Sequence, residues 1–257
     1  MRLCFTTLAY PELTLGEVLE RAVRMGFDGV EIRVAGDGVH LKPEAPLNPS
    51  HLQLIRSYSL PIPVLSSYLR LTDFYGGDRE AATLLASNLL KLASELQAKF
   101  IRVYGGEASQ GFERMAEAYR SLASMVEDYG VELLVETHDD LAMLPNIEGL
   151  LRLSGDVRFL YDPANIIYAG WPHAEAFKLL RGKIMHAHLK DFIISGGSRV
   201  FTKPGEGVVP LREIVYDLRE AGYGGFISVE WERFWHRDLP SGDIMLPIYR
   251  DYLRGLI

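Results

Sequence analysis

The chain has 257 residues, of which 48% are hydrophobic and 24% charged, a composition typical of globular proteins. Its formal charge is −7 and it has no run of basic residues, which argues against a nucleic-acid partner. A single cysteine, the absence of any apolar run near the roughly 20 residues that span a bilayer, and the absence of a signal-peptide pattern indicate a cytoplasmic chain with no membrane partner.

Short apolar runs rich in Val, Ile and Phe recur along the chain and predict strands. In chain order they cover residues 2–10, 27–34, 62–69, 99–106, 131–138, 157–164, 183–190 and 225–232. Helical periodicity lies between them, beginning with a segment in which Thr14 and Glu17 predict a capping box. Further helix candidates cover residues 79–98, 112–130, 210–224 and 243–256.

The strand and helix candidates alternate without a hairpin signal between consecutive strands, which favours parallel pairing. Eight such units in about 250 residues predict a single (β/α)8 TIM barrel domain over residues 1–257. An open doubly wound sheet is less favoured, because the first strand continues into LAYPELT rather than into a glycine-rich phosphate-binding turn.

Active sites of such barrels lie at the carboxyl ends of the strands. Near the carboxyl end of each of the last four runs lies a residue that can bind a metal: Glu136, Asp162, His188 and Glu230. Taken singly, these are ordinary rim charges, a turn residue and a core histidine. Taken together, three carboxylates at an inner rim require a cation, because an unpaired charge in a partly dry site costs several kcal/mol. Lys190, Arg102 and Arg33 could supply ion pairs, but a divalent metal ion is the favoured prediction.

The segment HAHLKDF places His186, His188 and Lys190 on one face of a strand, since alternate side chains point the same way. His188 lies about 7 Å nearer the mouth than His186, at roughly 3.3 Å per residue. We therefore expect His188 to bind the metal, His186 to support it through hydrogen bonds, and Lys190 to sit above the rim, where a substrate arrives.

Several motifs in order resemble the xylose isomerase-like barrel superfamily, in particular its sugar phosphate isomerase/epimerase branch. They are GFDGVEIR, VETH, YDPAN, HAHLKD and SVEWE on the second, fifth, sixth, seventh and eighth strands, and the loop motif PGEG. The resemblance covers essentially the whole chain. It implies one divalent metal ion held by Glu136, Asp162, His188 and Glu230, with Glu136 and Glu230 also acting as the acid/base pair.

Two positions depart from the ketose 3-epimerases of that superfamily. Asn165 stands where they tend to have a histidine, and Ile194 stands where they tend to have an arginine. An endonuclease IV-like site with three zinc ions is disfavoured, because the third and fourth strands end in SSY and VYGG without histidine.

The oxygen-rich ligand set favours Mn²⁺, Mg²⁺ or Co²⁺, with Zn²⁺ as an alternative. The predicted activity is a sugar or sugar phosphate isomerase/epimerase that abstracts a proton beside a carbonyl through a metal-stabilised enediolate. An inosose dehydratase-like hydro-lyase and a non-catalytic sugar-binding barrel are the alternatives. His138, Asn165, Lys190 and Glu206 are the expected contacts to a small carbohydrate substrate, and family analogy implies a homodimer.

Overall fold

The computed structural model describes residues 1–44, 47, 49–75, 79–126 and 129–257. The strands are β1 (Arg2–Phe5), β2 (Ile32–Arg33), β3 (Val64–Arg70), β4 (Phe100–Tyr104), β5 (Glu132–Glu136), β6 (Phe159–Tyr161), β7 (Ile184–Leu189), β8 (Asp191–Ser195), β9 (Ser198–Thr202) and β10 (Phe226–Val229). The helices are α1 (Leu15–Met25), α2 (Pro49–Ser57), α3 (Arg79–Leu96), α4 (Phe112–Val126), α5 (Leu144–Leu153), α6 (Pro163–Tyr168), α7 (His173–Leu180), α8 (Leu211–Glu220) and α9 (Gly242–Arg254). The end of the predicted helical segment 112–130 includes residues 127 and 128, which lie outside the described residues.

Eight strands form one parallel sheet in the order β1-β10-β7-β6-β5-β4-β3-β2. Backbone contacts join the two edge strands, because Thr6 forms a parallel bridge with Glu31, and the Glu31 amide donates to the Phe5 carbonyl at 3.0 Å. The sheet is therefore curled into a TIM barrel, as the alternation of strand and helix patterns predicted. The second strand is shorter than expected, with only Ile32–Arg33 in regular pairing.

A two-stranded antiparallel sheet follows β7, so the expectation that the chain contains no hairpin was wrong. β8 pairs with β9 in register, from Asp191 opposite Thr202 to Ser195 opposite Ser198. The turn is Gly196-Gly197, and both residues have positive φ, at 57° and 79°. A glycine pair between two apolar runs is itself a hairpin signal. The segment HAHLKDF spans the end of β7 and the start of β8, so it is a junction between two strands rather than the end of one.

Apolar side chains pack both between the sheet and the helices and inside the barrel. The amphipathic helices pack their buried faces against the outside of the sheet, and a small cluster of Val64, Phe100, Leu134 and Leu160 fills the lower interior. Above this apolar layer the inward-facing residues become polar, which places the chemistry at the carboxyl ends of the strands. Among the described residues, no helix combines the length and the apolar character needed to cross a membrane.

The capping box predicted at the start of α1 is confirmed. The Thr14 hydroxyl accepts from the Glu17 amide at 3.4 Å, and the Glu17 carboxylate accepts from the Thr14 amide at 2.8 Å. Replacing Thr14 with alanine should lower the free energy of unfolding by about 1 kcal/mol, because one helix-terminal amide loses its partner. Urea denaturation measures this. A Thr14→Ser variant should keep most of the stability, and equal losses in both variants would contradict the capping role.

Candidate metal centre

Four strands deliver the predicted ligands to one point at the mouth of the barrel. Glu136 is the last residue of β5, and Asp162 and Glu230 directly follow β6 and β10. His188 lies one residue before the end of β7. All four side chains are buried, and one ligand atom from each lies within 4.8 Å of the others. The parallel sheet brings these residues together because corresponding strand ends meet at one rim.

Several polar atoms of this cluster lack a hydrogen-bond partner among the described residues. They are Oε2 of Glu136, Oδ2 of Asp162 and Nδ1 of His188, although Oδ2 of Asp162 lies 2.8 Å from the ammonium of Lys190 and Oε2 of Glu136 lies 3.2 Å from Nε of Arg102. Nδ1 of His188 lies 3.3 Å from Glu230 and 3.7 Å from Glu136, but without hydrogen-bond alignment. Buried polar atoms left in this state are costly unless something binds them. Three carboxylates and one imidazole whose ligand atoms converge in this way fit a divalent cation.

Glu31 holds both histidines of β7. Its Oε1 lies 2.8 Å from Nε2 of His188, and its Oε2 lies 2.8 Å from Nε2 of His186. The hydroxyl of Ser66 also donates to this carboxylate. With Nε2 engaged by Glu31, His188 turns Nδ1 toward the three carboxylates, which is the arrangement expected of a metal-binding imidazole and its outer carboxylate. His186 lies below and supports Glu31, as strand geometry indicated.

Lys190 lies inside the cluster, so the expected place above the rim was wrong. The side chain is 1% exposed, and Nζ contacts Asp162 at 2.8 Å, Glu232 at 2.7 Å, and Glu230. The three carboxylates draw the ammonium inward because a buried charge is stable only when paired. The ion pair with Asp162, considered as an alternative from the sequence, is present.

The electrostatics of the cluster reflect an excess of buried negative charge. Burial raises the pKa of Asp162, and the nearby charges of Glu230 and Glu136 add to this despite the ammonium of Lys190. Burial alone would also raise the pKa of Glu31, but the imidazoles of His188 and His186 hold it well below its usual value. A divalent cation would relieve the repulsion among the carboxylates.

The other expected substrate contacts, His138, Asn165 and Glu206, differ in their burial and in their distance from the cluster. His138 lies just beyond β5, its side chain is 32% exposed, and its ring lies 4.8 Å from that of Tyr104. Asn165 is buried, donates to the Thr137 carbonyl at 3.3 Å and accepts from Arg199 at 2.8 Å. Glu206 is exposed, lies 3.9 Å from Lys203, and is not brought into the cluster. Their contacts with a substrate stay predictions.

Sequence reasoning missed two residues that organise the site. Asp191 begins β8, and its carboxylate accepts from the backbone amides of Gly205 and Gly207 at 2.9 and 3.0 Å, which positions the PGEG loop. Arg199, on β9, reaches back to Asn165. The Gly196-Gly197 pair was the available signal for both, because it predicts the hairpin that carries them.

Comparison with known proteins identifies relatives of this chain. A family model described as a xylose isomerase-like TIM barrel matches residues 19–245. An inosose dehydratase of Lacticaseibacillus casei is 23% identical over 141 residues, which is 48% of this chain and 47% of that protein. The chain thus spans about half the length of this curated relative.

Solved structures share the fold over nearly their full length. A probable 3-DHS dehydratase, AsbF, from Bacillus anthracis has a TM-score of 0.80 at 20% identity, covering 99% of each chain. A D-psicose 3-epimerase from Clostridium cellulolyticum H10, solved with D-tagatose, has a TM-score of 0.77 at 16% identity, covering 100% of this chain and 99% of that one. The IOLI protein, solved with a zinc atom, has a TM-score of 0.73 at 19% identity, covering 100% and 98%.

Proposed function

The chain belongs to the xylose isomerase-like TIM barrel family, and from that premise we propose that it is a divalent-metal-dependent enzyme acting on a polyhydroxylated carbonyl compound. One observation carries the proposal: the ligand atoms of Glu136, Asp162, His188 and Glu230 converge within 4.8 Å at the barrel mouth. The bound zinc named for one structural neighbour supports a metal at this kind of site. The proposed substrate is a carbohydrate or a compound related to one.

These four residues would hold the metal, which supplies a Lewis acid for the substrate carbonyl when it is bound. Glu136 is the last residue of β5, and Glu230 directly follows β10. These two residues are the proposed acid/base pair. One of them takes the proton from the carbon next to the carbonyl. The ammonium of Lys190 lies against Glu230 and offsets negative charge that develops in the site.

Loss of water is the outcome that we favour for the second step. After the C–H bond breaks, a hydroxyl on the neighbouring carbon departs and a conjugated carbonyl compound forms. The curated relative is an inosose dehydratase and one structural neighbour is a probable 3-DHS dehydratase, both named for dehydration. Asn165 and Ile194 also replace residues that ketose 3-epimerases tend to carry.

An isomerase or epimerase is the second candidate, supported by the fold shared with D-psicose 3-epimerase. The two activities differ only after proton removal, when the proton returns instead of a hydroxyl leaving. Their products differ as well, because only dehydration gives a conjugated carbonyl that absorbs in the ultraviolet. Incubation with an inosose, ketoses and aldoses, followed by ultraviolet spectra and chromatography, separates the two candidates.

Metal removal tests the shared part of the proposal. The purified protein should contain about one divalent ion per chain, and chelation should abolish turnover and lower the melting temperature, because the buried carboxylates lose their cation. Addition of Mn²⁺, Mg²⁺, Co²⁺ or Zn²⁺ should restore both properties to different extents. The proposal fails if no metal binds and the chelator changes neither property.

A further inference from the structure

Among the described residues, Arg33, Lys190 and Arg102 are basic side chains buried at the barrel mouth, and carboxylates bind the first two. Arg33 binds Asp37 through both terminal nitrogens, at 2.8 and 2.6 Å, and its Nε donates to the Tyr68 hydroxyl at 2.8 Å. Lys190 contacts three carboxylates, as described above. Both cations are therefore already held by carboxylates of the chain itself.

Arg102 is the third and differs from both. Its side chain lies on β4 and is 2% exposed, yet neither Nε nor Nη1 makes a hydrogen bond with any described residue. Oε2 of Glu136 is 3.2 Å from Nε, but the contact is poorly aligned. A buried guanidinium with unused donors is costly, so a binding partner is expected for it.

Aromatic rings surround the guanidinium group of Arg102, so its N–H groups are the part that can bind a ligand. The guanidinium carbon lies 4.1 Å from the ring centroid of Tyr104 and 5.5 Å from that of Tyr68. Aromatic rings therefore contact the guanidinium group, while its Nε lies 3.2 Å from Oε2 of Glu136 at the metal cluster. The planar fork of an arginine matches two oxygens of a carboxylate.

We propose that Arg102 determines substrate specificity by binding a carboxylate group of the substrate, which is then a polyhydroxylated carbonyl acid rather than a neutral sugar. The inference rests on the proposed function, which places the reacting carbonyl at the cluster. Glu136 links the two places, because its Oε2 faces Arg102 and its Oε1 lies 3.7 Å from Nδ1 of His188. A phosphate dianion is less suited, since Arg33 and Lys190 are already paired.

The test compares ligands of one ring size by calorimetry on the Mn²⁺-loaded protein. The probes are quinate, which carries a carboxylate, myo-inositol, which is neutral, and myo-inositol 1-phosphate. The wild-type protein should bind quinate at least about tenfold more tightly than myo-inositol, in line with a charge-assisted bidentate contact. Preference for the phosphate over quinate would overturn the assignment of a carboxylate.

Arg102→Gln and Arg102→Lys supply the matched variants. In Arg102→Gln the preference for quinate should disappear, while myo-inositol binds within about twofold of wild type. Arg102→Lys should keep part of the preference, because the charge remains without the fork. Equal weakening of all three ligands would overturn the proposal and assign Arg102 only to the support of Glu136. Variants that keep the Mn²⁺ stoichiometry and the melting temperature of the wild-type protein are folded. If the wild-type protein itself did not bind Mn²⁺, the result would count against the proposed function instead.

Discussion

Replacing Glu136 with glutamine should reduce turnover by about 10²–10⁴-fold, the range associated with loss of a positioned acid or base. Glutamine preserves the shape of the side chain but carries neither the charge nor the basicity of the carboxylate. Affinity for the metal should fall by more than the roughly 10–100-fold that loss of an outer partner costs, because a ligand itself is weakened. Steady-state kinetics and metal titration measure the two effects separately.

Glu132 provides a matched control on the same strand. It is the first residue of β5, at the opposite end of the strand from Glu136. Its side chain is 51% exposed, and its carboxylate lies 4.0 Å from the ammonium of Lys99. Glu132→Gln should leave kcat and metal affinity unchanged, since exposed ion pairs contribute little. A Glu136→Gln variant that matched this control in both measurements would remove Glu136 from the proposed mechanism.

Replacing Lys190 with methionine should destabilise the metal-free protein by at least about 3–5 kcal/mol, the usual cost of leaving buried charges without their partner. Asp162, Glu230 and Glu232 would then face one another with no ammonium between them. A divalent cation should offset much of this loss. The rise in melting temperature on adding Mn²⁺ should therefore be larger for the variant than for the wild-type protein.

Lys203 is the control for this substitution. Its side chain is 54% exposed and lies 3.9 Å from Glu206, which is 58% exposed. Lys203→Met should change the free energy of unfolding by no more than about 0.5 kcal/mol. If Lys190→Met were equally harmless in the chelator-treated protein, the buried ion-pair network would not contribute to stability as its geometry indicates.

The barrel was predictable because its signals repeat at a regular spacing. Eight apolar runs separated by helical patterns permit few other architectures, and the four cluster residues follow from identifying which residue ends each run. The capping box at Thr14 and Glu17 was equally local, since both partners lie within one helical turn.

Long-range pairing was the part that the sequence did not reveal. The strand pattern placed His186 and His188 on one face, but nothing near them indicated that one carboxylate, Glu31, would engage both. Lys190 was misplaced for a related reason. Its position along β7 suggested the rim, whereas three carboxylates from other strands determine where a flexible side chain carries its charge.

The dual role of Glu31 has a consequence for how the chain reaches its native state. Its backbone closes the barrel against Phe5 and Thr6. Its carboxylate contacts His186 and His188, which lie 155 and 157 positions further along the chain. Contacts across such separations form late, since loop closure must come first. A fragment that begins at β3 would contain all four cluster residues and still leave His188 without the carboxylate that orients it. Metal binding by the proposed centre would therefore report that Glu31 has packed against β7.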